Sequence, residues 1–150
     1  RGRAHHRPGR DHSGQILRLL KKIKEETGTS IILITHDLGV IAQIAERVMV
    51  MYSGEAVECC DVHKLFKSPG HPYTVGLLRS IPKLTERVDK LYNIPGMVPS
   101  PGEYPEGCRF APRCEKACQR CWKEKPQLRE IEPGHWVRCL LCDEGGKNHE

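Results

Sequence analysis

Cys108, Cys114, Cys118, Cys121, Cys139 and Cys142 crowd the last third of this 150-residue chain. Thiolates are soft ligands, and four of them converging would hold a zinc ion or an iron–sulfur cluster. The spacing leaves the set open. Cys118-x-x-Cys121 and Cys139-x-x-Cys142 form two zinc-knuckle pairs, whereas Cys108, Cys114, Cys121 and Cys139 form another four-ligand choice. Scattered, inert thiols are the third reading. Cys59 and Cys60 complete the eight cysteines as a vicinal pair at a strand end, a position that reads as incidental. No secretory signal segment occurs within these 150 residues, and in a reducing compartment such cysteine usage is expected to mean ligation before disulfides.

Two histidines stand at element boundaries. His36 follows the aliphatic run 31–34 and precedes a stretch of helical spacing. Ligands of open α/β sheets sit beyond the carboxyl ends of strands, so the position suits contact with a phosphoryl group. The plainer reading is a capping loop, with Asp37 as N-cap and His36 exposed. His71 would stand at a helix start, where Pro72 at the first helical position is itself a structural explanation. Arg109 and Arg113 flank Cys108 and Cys114. They suit contact with an acidic surface or with the negative charge of a cluster, but lack the interleaved aromatics of a nucleic-acid patch.

Elements must hold these groups, and the hydrophobic pattern supplies them. Ile16, Leu19, Leu20 and Ile23 mark one face of a helix that stops at Gly28. Residues 30–35 (SIILIT) read as a short strand buried on both faces, as parallel strands are. Leu38, Ile41, Ala42 and Ala45 repeat the helical spacing, and 48–52 with 55–59 form two strands turning at Ser53-Gly54. Short helices follow around Val62–Phe66 and Tyr73–Ser80, then a Pro- and Gly-rich stretch from Pro95 to Gly107. This is an α/β texture with an irregular tail. Hydrophobic residues make up 38% and charged residues 29% of the chain, and the longest aliphatic run is far short of a membrane span. Of the net charge of +5, residues 1–11 carry three, which leaves little to attract a polyanion and no nucleic-acid partner is expected.

Thr27 to Glu58, TGTSIILITHDLGVIAQIAERVMVMYSGEAVE, resembles the switch-histidine region of ABC-type ATPases. HPYTVGLLRSIP (71–82), IPGMVPSP (94–101), GCRFAPRC (107–114) and GHWVRC (134–139) resemble the C-terminal extension of oligopeptide and dipeptide importer ATPase subunits. The resemblance covers residues 15–142. It implies the C-terminal portion of an ABC-type nucleotide-binding domain, with an incomplete parallel sheet over residues 15–58, followed by a small Cys-rich extension over 59–142 and a polar tail at 143–150. His36 is then the switch histidine at the γ-phosphate of ATP, with magnesium. Cys108, Cys114, Cys121 and Cys139 fall on the pattern with which some members hold a [4Fe–4S] cluster, zinc being the alternative; Cys118 and Cys142 are extras. The implied setting is cytoplasmic, peripheral on the inner face of the cell membrane, beside membrane-spanning permease subunits and a second ATPase subunit.

The departures concern residues 1–14. No G-x-x-x-x-G-K-[ST] phosphate cradle, signature loop or Asp-Glu pair occurs in these 150 residues, so they are expected not to hydrolyse ATP alone. The family usually reads Ile-Ala-Asp-Glu-Pro-Thr-Thr-Ala-Leu-Asp-Val-Thr-Ile-Gln-Ala here. Written in suitable codons and translated from the third base, that stretch becomes RGRAHHRPGRDHSG, all of Arg1 to Gly14 in order. Residues 1–14 are therefore expected to be an out-of-frame reading, with His5 and His6 as accidents of translation. A self-standing metal-binding interaction module is the rival reading of the whole chain.

Overall fold

The computed structural model describes residues 9–81 and 92–142. Two compact units result, Arg1–Ala45 and Glu46–Glu150. Of the aberrant segment expected at 1–14, residues 1–8, including His5 and His6, lie outside the described residues, as does the polar tail 143–150.

The first unit holds two helices. Helix α1 (Gly9–Thr27) ends where the sequence demands: Gly28 takes φ +65°, and its N–H donates to the Lys24 carbonyl at 3.0 Å. Helix α2 (Leu38–Ile44) starts at Asp37, whose Oδ1 accepts from the N–H groups of Gly39 at 2.8 Å and Val40 at 3.2 Å. Between them the expected buried strand is corrected. No strand is assigned at 30–35, and Ile32 and Ile34 are 92% and 93% exposed. A parallel strand is held by neighbours on both edges and helices on both faces, and this segment has no ladder partner among the described residues. The stripe on α1 is uncovered in the same way, with Ile16 and Leu19 exposed.

The second unit is built on a sheet of a different kind from the one expected. Four strands lie in the order β1-β2-β4-β3, antiparallel at every pairing: β1 (Arg47–Tyr52), β2 (Glu55–Asp61), β3 (Arg129–Glu132) and β4 (His135–Val137). The parallel sheet foreseen for residues 15–58 is thus not found among the described residues. The β1–β2 hairpin is as read, turning through Ser53 and Gly54 at φ 47° and 81°, the two left-handed positions of a type I′ turn. Its β2 edge pairs with the tail through Glu58↔Val137 and Cys59↔Trp136, so one sheet spans the proposed 58/59 division.

Val48, Val50 and Tyr52 alternate inward along β1. On β2 the register slips between Val50 and Met51: Met51 faces Ala56, whereas Val50 faces Glu58. Val57 is the extra residue of this bulge. Opposed residues share a face, so the bulge sets Glu58 beside Val50 and Cys60 beside Val48 on the core side. Helices α3 (Val62–Lys67) and α4 (Pro72–Arg79) follow, capped by Asp61 and His71. Leu65, Tyr52, Phe110 and Val137 are almost wholly buried. Tyr52, Tyr73 and Phe110 meet with ring centroids 4.8–5.4 Å apart, which ties hairpin, helix and Cys-rich segment into one core.

Candidate functional site

The Cys-rich segment owes its shape to tight turns. The carbonyls of Cys108, Cys114, Cys118 and Cys139 each accept from the N–H three residues on, at 2.9–3.2 Å. Such turns aim successive thiols without a large core, as a segment rich in Pro and Gly requires. Cys121 stands in α5 (Gln119–Lys123) and comes to Cys108 by direct backbone pairing. The Cys108 N–H donates to the Cys121 carbonyl at 2.8 Å, and Gly107 N–H to that of Trp122 at 3.2 Å. A Cβ on Gly107 would lie 2.3 Å from the Cys121 carbonyl oxygen, so only glycine permits this approach.

Some thiols of the expected set influence one another. The Cys139 charge raises the pKa of Cys108 and Cys114, and Cys108 acts in the same sense on Cys114 and Cys121. Burial is the larger cause in all three, and it pushes Cys114 and Cys121 up to about 11. Cys139 is raised too, first by the hydrogen bond with Cys142 and then by burial. Neighbouring, half-buried thiols that resist ionisation together are a donor set that a cation would convert to thiolates. Among the described residues, no three of these thiols bring their sulfur atoms within 4.8 Å of one another. Cys118 differs: the Cys121 N–H and thiol stabilise its thiolate and lower its pKa, and the two Sγ atoms are 3.4 Å apart.

Arg109 and Arg113 are occupied within the chain. Arg109 pairs with Glu55 at 3.4 Å, donates to the Ser53 carbonyl and stacks over Tyr104. Arg113 donates to the carbonyls of Pro95 at 2.9 Å and Ile94 at 3.0 Å, pinning the irregular segment. A cavity of about 600 Å³ opens beside Arg113, lined among others by Arg79, Tyr92, Lys116, Cys139 and Cys142.

A buried carboxylate escaped the sequence reading. Glu58, wholly buried, accepts from Gly70 N–H at 2.7 Å and His71 N–H at 3.0 Å, and its Oε1 lies 2.7 Å from His135 Nε2. Glu58, Cys60 and His135 place ligand atoms within 4.8 Å of one another, the one candidate metal group of this kind among the described residues. Glu58 and His135 already bond to each other, and a Cβ on Gly70 would stand 2.7 Å from Val137 Cγ2, which leaves the knot closely packed. The arrangement works as a hydrogen-bonded clip. Cys60, pushed up to about 11 chiefly by burial, stays a neutral thiol within it. His71 Nδ1 accepts from Tyr73 N–H at 3.1 Å, and burial lowers its pKa to about 4, so the ring is a neutral cap. The signal that could have found Glu58 was its place as the one acidic residue inside 56–60.

His36 stands exposed just before the Asp37 cap, where the plainer reading placed it.

Residues 57–121, which hold Glu58, His71, Cys108, Cys114 and Cys121, match the family described as oligopeptide/dipeptide transporter, C-terminal region. The match is confined to those 65 of the 150 residues. Over 132 residues it is 52% identical to the oligopeptide transport ATP-binding protein AppD of Bacillus subtilis, covering 88% of this chain and 40% of that protein. Proteins named as peptide import ATP-binding proteins are 46% identical in Brucella ovis, over 87% of this chain and 40% of theirs, and in Brucella melitensis, over 83% and 37%. The chain therefore spans about 40% of the length of these relatives and corresponds to the C-terminal part of peptide-import ATP-binding proteins. No helix among the described residues is long and apolar enough to cross a membrane.

Proposed function

We propose that the chain serves as the C-terminal part of an ATP-binding subunit that energises peptide import by an ABC transporter. The observation that carries this is the 52% identity to an oligopeptide transport ATP-binding protein over 88% of the chain. In the intact subunit His36 contacts the γ-phosphate of magnesium-bound ATP and positions the attacking water. Its exposed place immediately before the Asp37-capped start of α2 supports that role. ATP supplies the phosphoryl chemistry; the 150 residues alone contain no phosphate cradle and are not expected to perform it. The partners are permease subunits and a second ATPase subunit, on the cytoplasmic face of the membrane.

The extension is held by Cys108, Cys114, Cys121 and Cys139 as ligands of a [4Fe–4S] cluster, or of zinc. The backbone pairing of Cys108 with Cys121 and the tight turns that begin at Cys108, Cys114 and Cys139 support the set. The group's contribution is a structural staple, and the chain's own residues supply the rest: tight turns aim the thiols and Gly107 lets Cys108 reach Cys121.

The test is a chimera in which residues 15–150 replace the corresponding part of the Bacillus subtilis relative. ATP hydrolysis is expected to persist, and His36→Ala to lower it at least about a hundredfold without loss of ATP binding. A folded chimera whose hydrolysis ignores His36→Ala would contradict the reading.

A further inference from the structure

Cys118 lies outside the four-ligand set, yet its Sγ is 3.4 Å from the Sγ of Cys121. The backbone makes this pairing possible. Cys121 N–H donates to the Cys118 carbonyl at 3.0 Å, closing a tight turn. Such a turn keeps its end Cα atoms within about 7 Å, the range that a disulfide spans without backbone movement. The two thiols differ in access: Cys118 is partly exposed, and Cys121 is buried against Ala111 and Leu140 with Cys108 alongside. An accessible thiol beside a sheltered one in a C-x-x-C is the arrangement of an attacking and a resolving cysteine.

We propose that Cys118 and Cys121 are an exchange dithiol that closes to a disulfide against a small-molecule disulfide. The Cys118 thiolate attacks one sulfur of the disulfide, forming a mixed disulfide and expelling one thiolate, which takes up a proton. Cys121 then attacks Cys118 Sγ, displacing the second small thiol and giving up its own proton. Two cysteine thiols are oxidised, one small disulfide is reduced to two thiols, and atoms and electrons balance. The inference stands apart from the ligand reading of Cys121. Where both hold, closure removes one of the four ligands and opens the staple, so the oxidant acts on the extension.

The experiment uses the full chain, titrated with oxidised glutathione, trapped by alkylation and mapped by mass spectrometry, with iron and zinc measured in the same samples. The expected result is loss of the Cys118 and Cys121 thiols together as an internal disulfide. Cys121→Ser should arrest at glutathionylated Cys118. Cys118→Ser should abolish closure while leaving the far-ultraviolet circular dichroism unchanged. Wild type that stops at the mixed disulfide, or that oxidises elsewhere while Cys118 and Cys121 still alkylate, would overturn the proposal. Closure in a chain free of metal would keep it and count against the ligand reading alone.

Discussion

Glu58 Oε1 and His135 Nε2 are 2.7 Å apart across 77 residues of chain, and both side chains are almost wholly buried. This contact joins the β1–β2 hairpin to the last strand of the tail. It also fixes the start of α4, because the same carboxylate accepts from Gly70 and His71. Removing the carboxylate would orphan the buried His71 N–H, the partly buried Gly70 N–H and an imidazole. Glu58→Ala should therefore cost about 3–5 kcal/mol, and Glu58→Gln, which keeps one acceptor oxygen, distinctly less. Urea unfolding of the two variants checks the order.

Acid should act through His71. Its pKa is about 4 in the fold, lowered first by burial, against 6.5 for the free group. The unfolded chain thus binds the extra proton first. This contribution is intact above pH 6.5 and is lost as the pH falls from 6.5 towards 4, by about 3 kcal/mol in total. Denaturation midpoints across that window should fall with pH, and His71→Asn, which keeps an N-cap acceptor, should flatten the slope.

Gly107→Ala places a Cβ 2.3 Å from the Cys121 carbonyl oxygen. Backbone cannot yield as a side-chain tip can, so the variant should lose about 2 kcal/mol or more and separate Cys108 from Cys121. Gly102→Ala, with nothing within 4 Å, is the matched control. Thermal unfolding should move for the first and stay for the second.

Asp61→Ala removes the Oδ1 that accepts from His63 N–H at 2.8 Å and Lys64 N–H at 3.3 Å. The loss should be about 1 kcal/mol, read from the same unfolding curves.

Local signals in the chain were legible where local physics decides. Gly28, Asp37 and Pro72 mark helix ends, Ser53-Gly54 makes its turn, and the fold follows all of them. The segment 30–35 misleads because its aliphatic run calls for sheet neighbours on both sides, and period alone does not supply them. Glu58 carried only a weak signal, for another reason. Strict alternation sets Glu58 apart from Val57 with no hint of a bulge, and the partner that makes its burial tolerable, His135, is remote in sequence. The thiols were visible as a set, but spacing alone left the two-knuckle and four-ligand choices open.

Metal content separates those choices and tests the account of the extension most directly. The full chain, prepared anaerobically, should contain iron or zinc bound in a defined ratio. Cys114→Ser should lose it, and both Cys118→Ser and Cys142→Ser should retain it. Metal kept by Cys114→Ser and lost from Cys118→Ser and Cys142→Ser would contradict the four-ligand set in favour of two knuckles, and a wild-type chain with neither metal would contradict ligation itself.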